Sequence, residues 1–114
     1  MKRILASFTP LILFLFFAAS GAFGQKLLSA KGYFCGQTEP SYVNVHLMVG
    51  NTVRVFSASP DGGFRQKGFS GAIFELPIGT ELIIKYKRTD GMNWIWEVTA
   101  TGKRNRSVRR CASD

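Results

Sequence analysis

Lys85, Lys87, Trp94 and Trp96 form the constellation with the clearest chemistry in this 114-residue chain. Two lysines, two apart, precede the hairpin signal Asp90-Gly91, and two tryptophans, two apart, follow it. A two-residue Asp90-Gly91 turn pairs Lys87 with Trp94 and Lys85 with Trp96. That register makes a surface stripe of two indoles and two ammonium groups, suited to stacking on sugars or bases and to cation–π contacts. A loop one residue longer gives the other arrangement. Trp94 and Trp96 then join Leu82, Ile84 and Tyr86 in the core. A small domain needs large buried side chains, which favours this second arrangement.

The second feature is a basic tail. Residues 103–110 carry Lys103, Arg104, Arg106, Arg109 and Arg110, and Cys111 follows directly. Such a run is either a patch for polyanions or a solvated edge whose charges discourage sheet-to-sheet association. Lys103-Arg104 and Arg109-Arg110 are also dibasic pairs open to a processing protease. Asn105-Arg106-Ser107 is an acceptor sequon for N-glycosylation in a eukaryotic host.

Catalysis finds little support. Beyond residue 24 the seven acids are Glu39, Asp61, Glu75, Glu81, Asp90, Glu97 and Asp114. Asp61 and Asp90 fall in turns, where Asp serves the backbone. Glu81 and Glu97 lie on strands with Lys and are explained by pairing with it. His46 is the only histidine and alternates onto the polar face of its strand. No nucleophile elbow, phosphate loop, cofactor motif or metal-ligand spacing occurs, so the reading is a binding protein and not an enzyme.

The chain's first residues read as an export signal. Met1-Lys2-Arg3 is a basic opening, the apolar run from Ile4 to Ala19 is broken only by Ser7, Thr9 and Pro10, and Ala22-Phe23-Gly24 places small residues before a cleavage ahead of Gln25. Residues 1–24 are thus a signal peptide and residues 25–114 a secreted β domain. The uninterrupted apolar run is too short to span a bilayer, so no integral membrane protein is expected. The formal charge is +8, and losing Lys2 and Arg3 with the signal leaves +6. In an exported small domain Cys35 and Cys111 imply a disulfide.

The positioning elements read as strands. Lys31 to Gly36 carries Tyr33-Phe34-Cys35. From Tyr42 to Val49, Val43, Val45, Leu47 and Val49 alternate strictly with Asn44, His46 and Met48. Thr52 to Ser57 follows the Gly50-Asn51 turn. A three-residue loop, with Asn51 left-handed, sets Val53 and Val55 beside Leu47 and Val49, and burial favours it over a two-residue loop. Pro60-Asp61-Gly62-Gly63 extends a turn cluster, 64–71 is a Gly-rich basic loop, and 72–76 is a short strand. Strands follow at 81–88, with Leu82, Ile84 and Tyr86 on one face, and at 93–100. Gly102 breaks the latter, and 107–111 is a last short strand. The fold class is all-β: a small single-domain β-sandwich or barrel of six to seven antiparallel strands with one disulfide.

Tyr33-Phe34-Cys35-Gly36 followed by the 43–49 and 52–57 strands resembles the opening of the MAX-type secreted effectors of plant-pathogenic fungi. That resemblance implies an exported six-stranded β-sandwich with a disulfide beginning in the first strand. Cys111 departs from it, because the partner Cys of that family precedes a final strand. The aromatic-Cys strand, Ser57-Ala58-Ser59 and a Cys near the C-terminus also resemble the periplasmic inhibitors of C-type lysozyme. There the triplet continues into Gly-Ala-Arg-Tyr; here Pro60-Asp61-Gly62-Gly63 follows, so no binding residue carries over. A +6 domain would also be repelled by a basic lysozyme. The leading expectation is a secreted, monomeric, effector- or virulence-type basic protein. It binds a host or competitor protein, or an anionic polymer or glycan. An antimicrobial or killer-toxin-like protein for anionic surfaces, and an inhibitor of an exported hydrolase, are the alternatives.

Overall fold

The computed structural model describes residues 26–39, 42–59 and 63–112. The export signal and cleavage point, Pro60-Asp61-Gly62 of the turn cluster, and Asp114 lie outside the described residues. Among the described residues there are six strands: β1 (Leu28–Thr38), β2 (Val43–Val49), β3 (Thr52–Ala58), β4 (Arg65–Lys67), β5 (Thr80–Thr89) and β6 (Met92–Arg104). They make one sheet in the order β3-β2-β1-β5-β6-β4, and β3 also pairs with β6. That pairing closes β1, β2, β3, β6 and β5 into a ring, so the architecture is a barrel and not a sandwich. The sheet is mixed, not wholly antiparallel: β6 runs parallel to both β3 and β4.

β1 organises the barrel. Its first half pairs with β5 and its second half with β2, with a register shift between Phe34 and Gly36. One strand thereby serves two sides of a curved wall, a common use of a bulge. The interior is filled by Phe34, Val45, Leu47, Phe56, Leu82, Ile84 and Val98, each at most 2% exposed. Leu82, Ile84 and Tyr86 face it as the alternation predicts, and each such side chain contributes about 1.5–3 kcal/mol through burial. Residues 73–75 form a 3-10 turn rather than the expected strand, and Ile73 reaches into the core.

The β2–β3 hairpin departs from expectation. Val49 pairs with Thr52, so the loop has two residues, not three. Gly50 takes the positive φ of 63°, while Asn51 does not. Val53 and Val55 therefore share the outer face with Met48 and His46 and stay exposed. The inner positions go to Phe56 and Ala58, both buried. Arg54 occupies the remaining inner position at the barrel rim. Its guanidinium lies over the Phe56 and Tyr86 rings and donates a hydrogen bond to the Tyr86 hydroxyl at 2.8 Å. Burying one Phe outweighs two Val once the arginine has an aromatic partner.

Near the C-terminus Gly102, with φ +93°, is absorbed inside β6 instead of ending it. Residues 65–67 form a short strand within the expected loop. The expected strand at 107–111 is an irregular strap. Cys35 and Cys111 are disulfide-bonded, 76 positions apart in sequence, and Ala112 makes a parallel bridge to Gly36.

Candidate functional site: an aromatic and cationic face

The β5–β6 hairpin has the two-residue turn, with Asp90 at φ +54° and Gly91 at +76°. Lys87 pairs with Trp94 as the short-turn register requires. Lys85 does not pair with Trp96. The register shifts between Lys85 and Tyr86, so that Tyr86 faces Ile95 and Lys85 faces Glu97, leaving Trp96 as the extra residue of a bulge. The bulge decides the fate of the strand. Ile95 and Val98 both reach the core, which strict alternation forbids, and the two indoles are left outside. The expectation that Trp94 and Trp96 join Leu82, Ile84 and Tyr86 is thus overturned. The interior of so small a barrel takes aliphatic side chains and lone phenyl rings more readily than two indoles.

Trp96 is 45% exposed, and the Lys87 ammonium lies over its ring, 4.9 Å from the centroid. Trp94 is half-buried and meets Tyr42 edge-on, centroids 5.1 Å apart. Tyr42 itself is exposed. Next to Trp96, Gly63, Phe64 and Arg65 line a recess of about 490 Å³. Phe64 also walls a neighbouring recess of about 300 Å³ that contains Gln37, Val43 and Phe74. The Gln37 amide nitrogen donates to Glu39 at 2.7 Å, while its carbonyl oxygen is buried without a hydrogen-bond partner.

Charge around this corner is mostly positive. Glu97 accepts Lys67 and Lys85, both at 3.6 Å, leaving one surplus positive charge among the three. Arg88 is held by Asn93 at 2.8 Å, and Asn93 in turn donates to the Val55 carbonyl at 3.0 Å. Glu81 accepts Lys31 at 3.9 Å and the Thr101 hydroxyl at 2.7 Å. The pairing of Glu81 and Glu97 with lysines is as the sequence implies.

The outer face of β2 and β3 runs away from the aromatic corner. Ser57 pairs with Trp94 across the seam and donates to Asn44 at 2.7 Å. Beyond lie His46 with Val55, then Met48 with Val53. His46 Nε2 is 3.2 Å from the Thr38 hydroxyl, and partial burial lowers its pKa below the usual 6.5.

The basic tail does not join this corner. Lys103 and Arg104 end β6, and Arg104 donates to the Ile78 carbonyl at 3.1 Å. Asn105 accepts both the Ser107 amide at 3.0 Å and the Ser107 hydroxyl at 2.6 Å. Arg109 and Arg110 lie at the opposite end of the β2 face, beside Tyr33 and Met48. Of the candidate residues, Lys87, Trp94 and Trp96 are brought together. Lys85 is turned to Glu97, and the tail forms a separate locus. Sequence reasoning missed Tyr42, Phe64, Arg65, Val53 and Val55. Phe64 and Arg65 sit in a Gly-rich stretch without periodicity, and the two valines were lost to the hairpin register.

No family model, curated protein or solved structure matches the chain.

Proposed function

We propose that the chain is an exported, non-catalytic binding protein whose aromatic and cationic face holds an extended anionic glycan of a host or competitor surface. One observation carries this reading: Trp96 stands exposed on a bulge with an ammonium over its ring, beside the Trp94–Tyr42 pair. A protein spends large aromatic area on solvent where something stacks on it. The surplus positive charge favours an acidic chain. Fold-level likeness supports the same face. The small five-stranded barrels of the OB class bind oligosaccharides and oligonucleotides across their second and third strands and the adjoining loops. The uncovered Val53 and Val55 occupy that place here. An analogy of fold raises the reading, and the residues carry it. Export directs the choice toward surface polysaccharide rather than nucleic acid.

The test is a titration of the oxidised domain with sulfated and uronate-containing oligosaccharides, followed by tryptophan emission. Exposed Trp96 should be readily quenched by acrylamide and protected on binding. Trp96→Ala should weaken binding about tenfold or more, in keeping with a stacking contact of 1–3 kcal/mol. Saturable binding of single-stranded DNA with no response to any glycan would replace this reading with a nucleic-acid one.

A further inference from the structure

The C-terminal strap is fastened at both ends and carries its charges between them. At one end the Asn105 amide donates to the Gly79 carbonyl at 2.9 Å. At the other the Cys111 amide donates to the Cys35 carbonyl at 2.6 Å beside the disulfide. The Val108 amide closes a turn on the Asn105 carbonyl at 3.3 Å. Gly36 is where the strap lands, since a Cβ there would overlap the Ala112 carbonyl. Between the fastenings, Val108, Arg109 and Arg110 line an open cleft of about 520 Å³ together with Tyr33, Met48 and the Gly50-Asn51 turn.

Among the described residues no carboxylate lines this cleft. Glu81 is the strand neighbour of Tyr33, but it is occupied by Lys31 and Thr101. Among the described residues, Arg109 and Arg110 have neither an ion-pair nor a hydrogen-bond partner. Arg109 and Arg110, lining one cleft with Tyr33 and Met48, fit an anionic group carried on a ring with an apolar side. The planar forks take the oxyanion, and Tyr33 and Met48 take the ring.

We propose that this strap cleft is a second anion subsite, and that it and the aromatic corner hold the two ends of one ligand. Met48 and Tyr33 are outer-face partners, as are Asn44 and Ser57, and Ser57 adjoins Trp94. Asn44 and Met48 lie four positions apart on β2, about 13 Å at the rise of an extended strand, before the step across β3 to Trp94. The exposed Val55 and half-buried His46 form the floor between them. The ligand is therefore an oligosaccharide with an anionic group at least that far from the ring stacked on tryptophan. This extension rests on the function proposed above.

Both subsites are separable experimentally. Arg109→Gln with Arg110→Gln removes the strap charges at exposed positions and leaves the fold intact. With a sulfated hexasaccharide as probe, that double variant should bind about tenfold more weakly and with a shallower salt dependence. With a sulfated monosaccharide, which cannot span, parent and variant should differ at the strap only, seen as amide shift changes at Tyr33 and 107–111 in the parent. Equal hexasaccharide affinity and salt slope in parent and double variant, with Trp96→Ala still weakened, would overturn the strap subsite and spare the proposed function. Strap shifts on adding inorganic sulfate, with no glycan response at Trp96, would keep the anion subsite and overturn the bridging.

Discussion

At the residue scale, Trp96 and Phe56 are contrasting large side chains. Phe56 is fully buried and touches Tyr86 edge-on, centroids 4.9 Å apart, beneath the Arg54 guanidinium. Trp96 touches an ammonium and solvent. Phe56→Ala should therefore cost about 3–5 kcal/mol, while Trp96→Ala should stay within about 1 kcal/mol of the parent, read as denaturant midpoints at constant slope. Equal losses would mean that Trp96 supports the barrel rather than a ligand. His46 carries the pH dependence that can be assigned. Its folded-state pKa lies below the unfolded value of about 6.5, because burial disfavours the imidazolium. The unfolded chain then binds the proton first. His46's contribution is present above about pH 6.5 and is lost as pH falls through the folded pKa. Melting temperature should decline across that window, and less so in His46→Gln, with the difference between the two isolating this group from the carboxylates.

At the element scale, what could be read from the sequence was strand content and the inner faces of regular strands. Val45, Leu47, Leu82, Ile84 and Tyr86 stand where period-two alternation puts them. What could not be read were the places where alternation is broken. In Met92–Arg104 the residues Trp94, Trp96 and Val98 look like one face, yet a single extra residue sends the indoles outward and Val98 inward. Periodicity carries no mark of a bulge, because its position is set by pairing with β5, a property of two strands together. The β2–β3 hairpin failed for a related reason. Arg54 takes an inner position because Tyr86, remote in sequence, and Phe56, two residues on, supply its partners. The candidate site followed suit: burial favoured a loop one residue longer, whereas the two-residue Asp90-Gly91 turn forms with its Lys87–Trp94 pair, and the Lys85–Trp96 pairing of the short-turn register does not form. The bulge makes a direct test available. Deleting Trp96 leaves Trp94 out, Ile95 in, Glu97 out and Val98 in, a regular ladder with the same core. That deletion should fold with a loss of about 2 kcal/mol or less, by far-UV circular dichroism and urea titration. An unfolded product would show that the bulge itself, with its added twist, is needed to close the barrel.

At the scale of the whole molecule, the strap and the barrel are one unit because Cys35 and Cys111 join them. A domain this small buries a limited core, and its total stability is of the order of 5–15 kcal/mol. The bridge closes nearly the entire folded region, with a sequence separation of 76. In the chain-entropy picture a loop of that size restricts the unfolded ensemble by about 4.5 kcal/mol, a large share of that total. Removing it has a second consequence. Arg109 and Arg110 stay beside Tyr33 and Met48 because the strap is fastened there, so its release lets these exposed charges leave that cleft in the folded state as well. Replacing both cysteines by serine should lower the urea midpoint by about 3 M, with a steeper slope because the unfolded chain expands. Binding of a sulfated hexasaccharide at low urea should weaken together with the strap amide shifts, while Trp96 remains quenchable. A midpoint shift below about 1 M would mean that the barrel closes without the staple, and the bridge would then serve mainly to position the arginines.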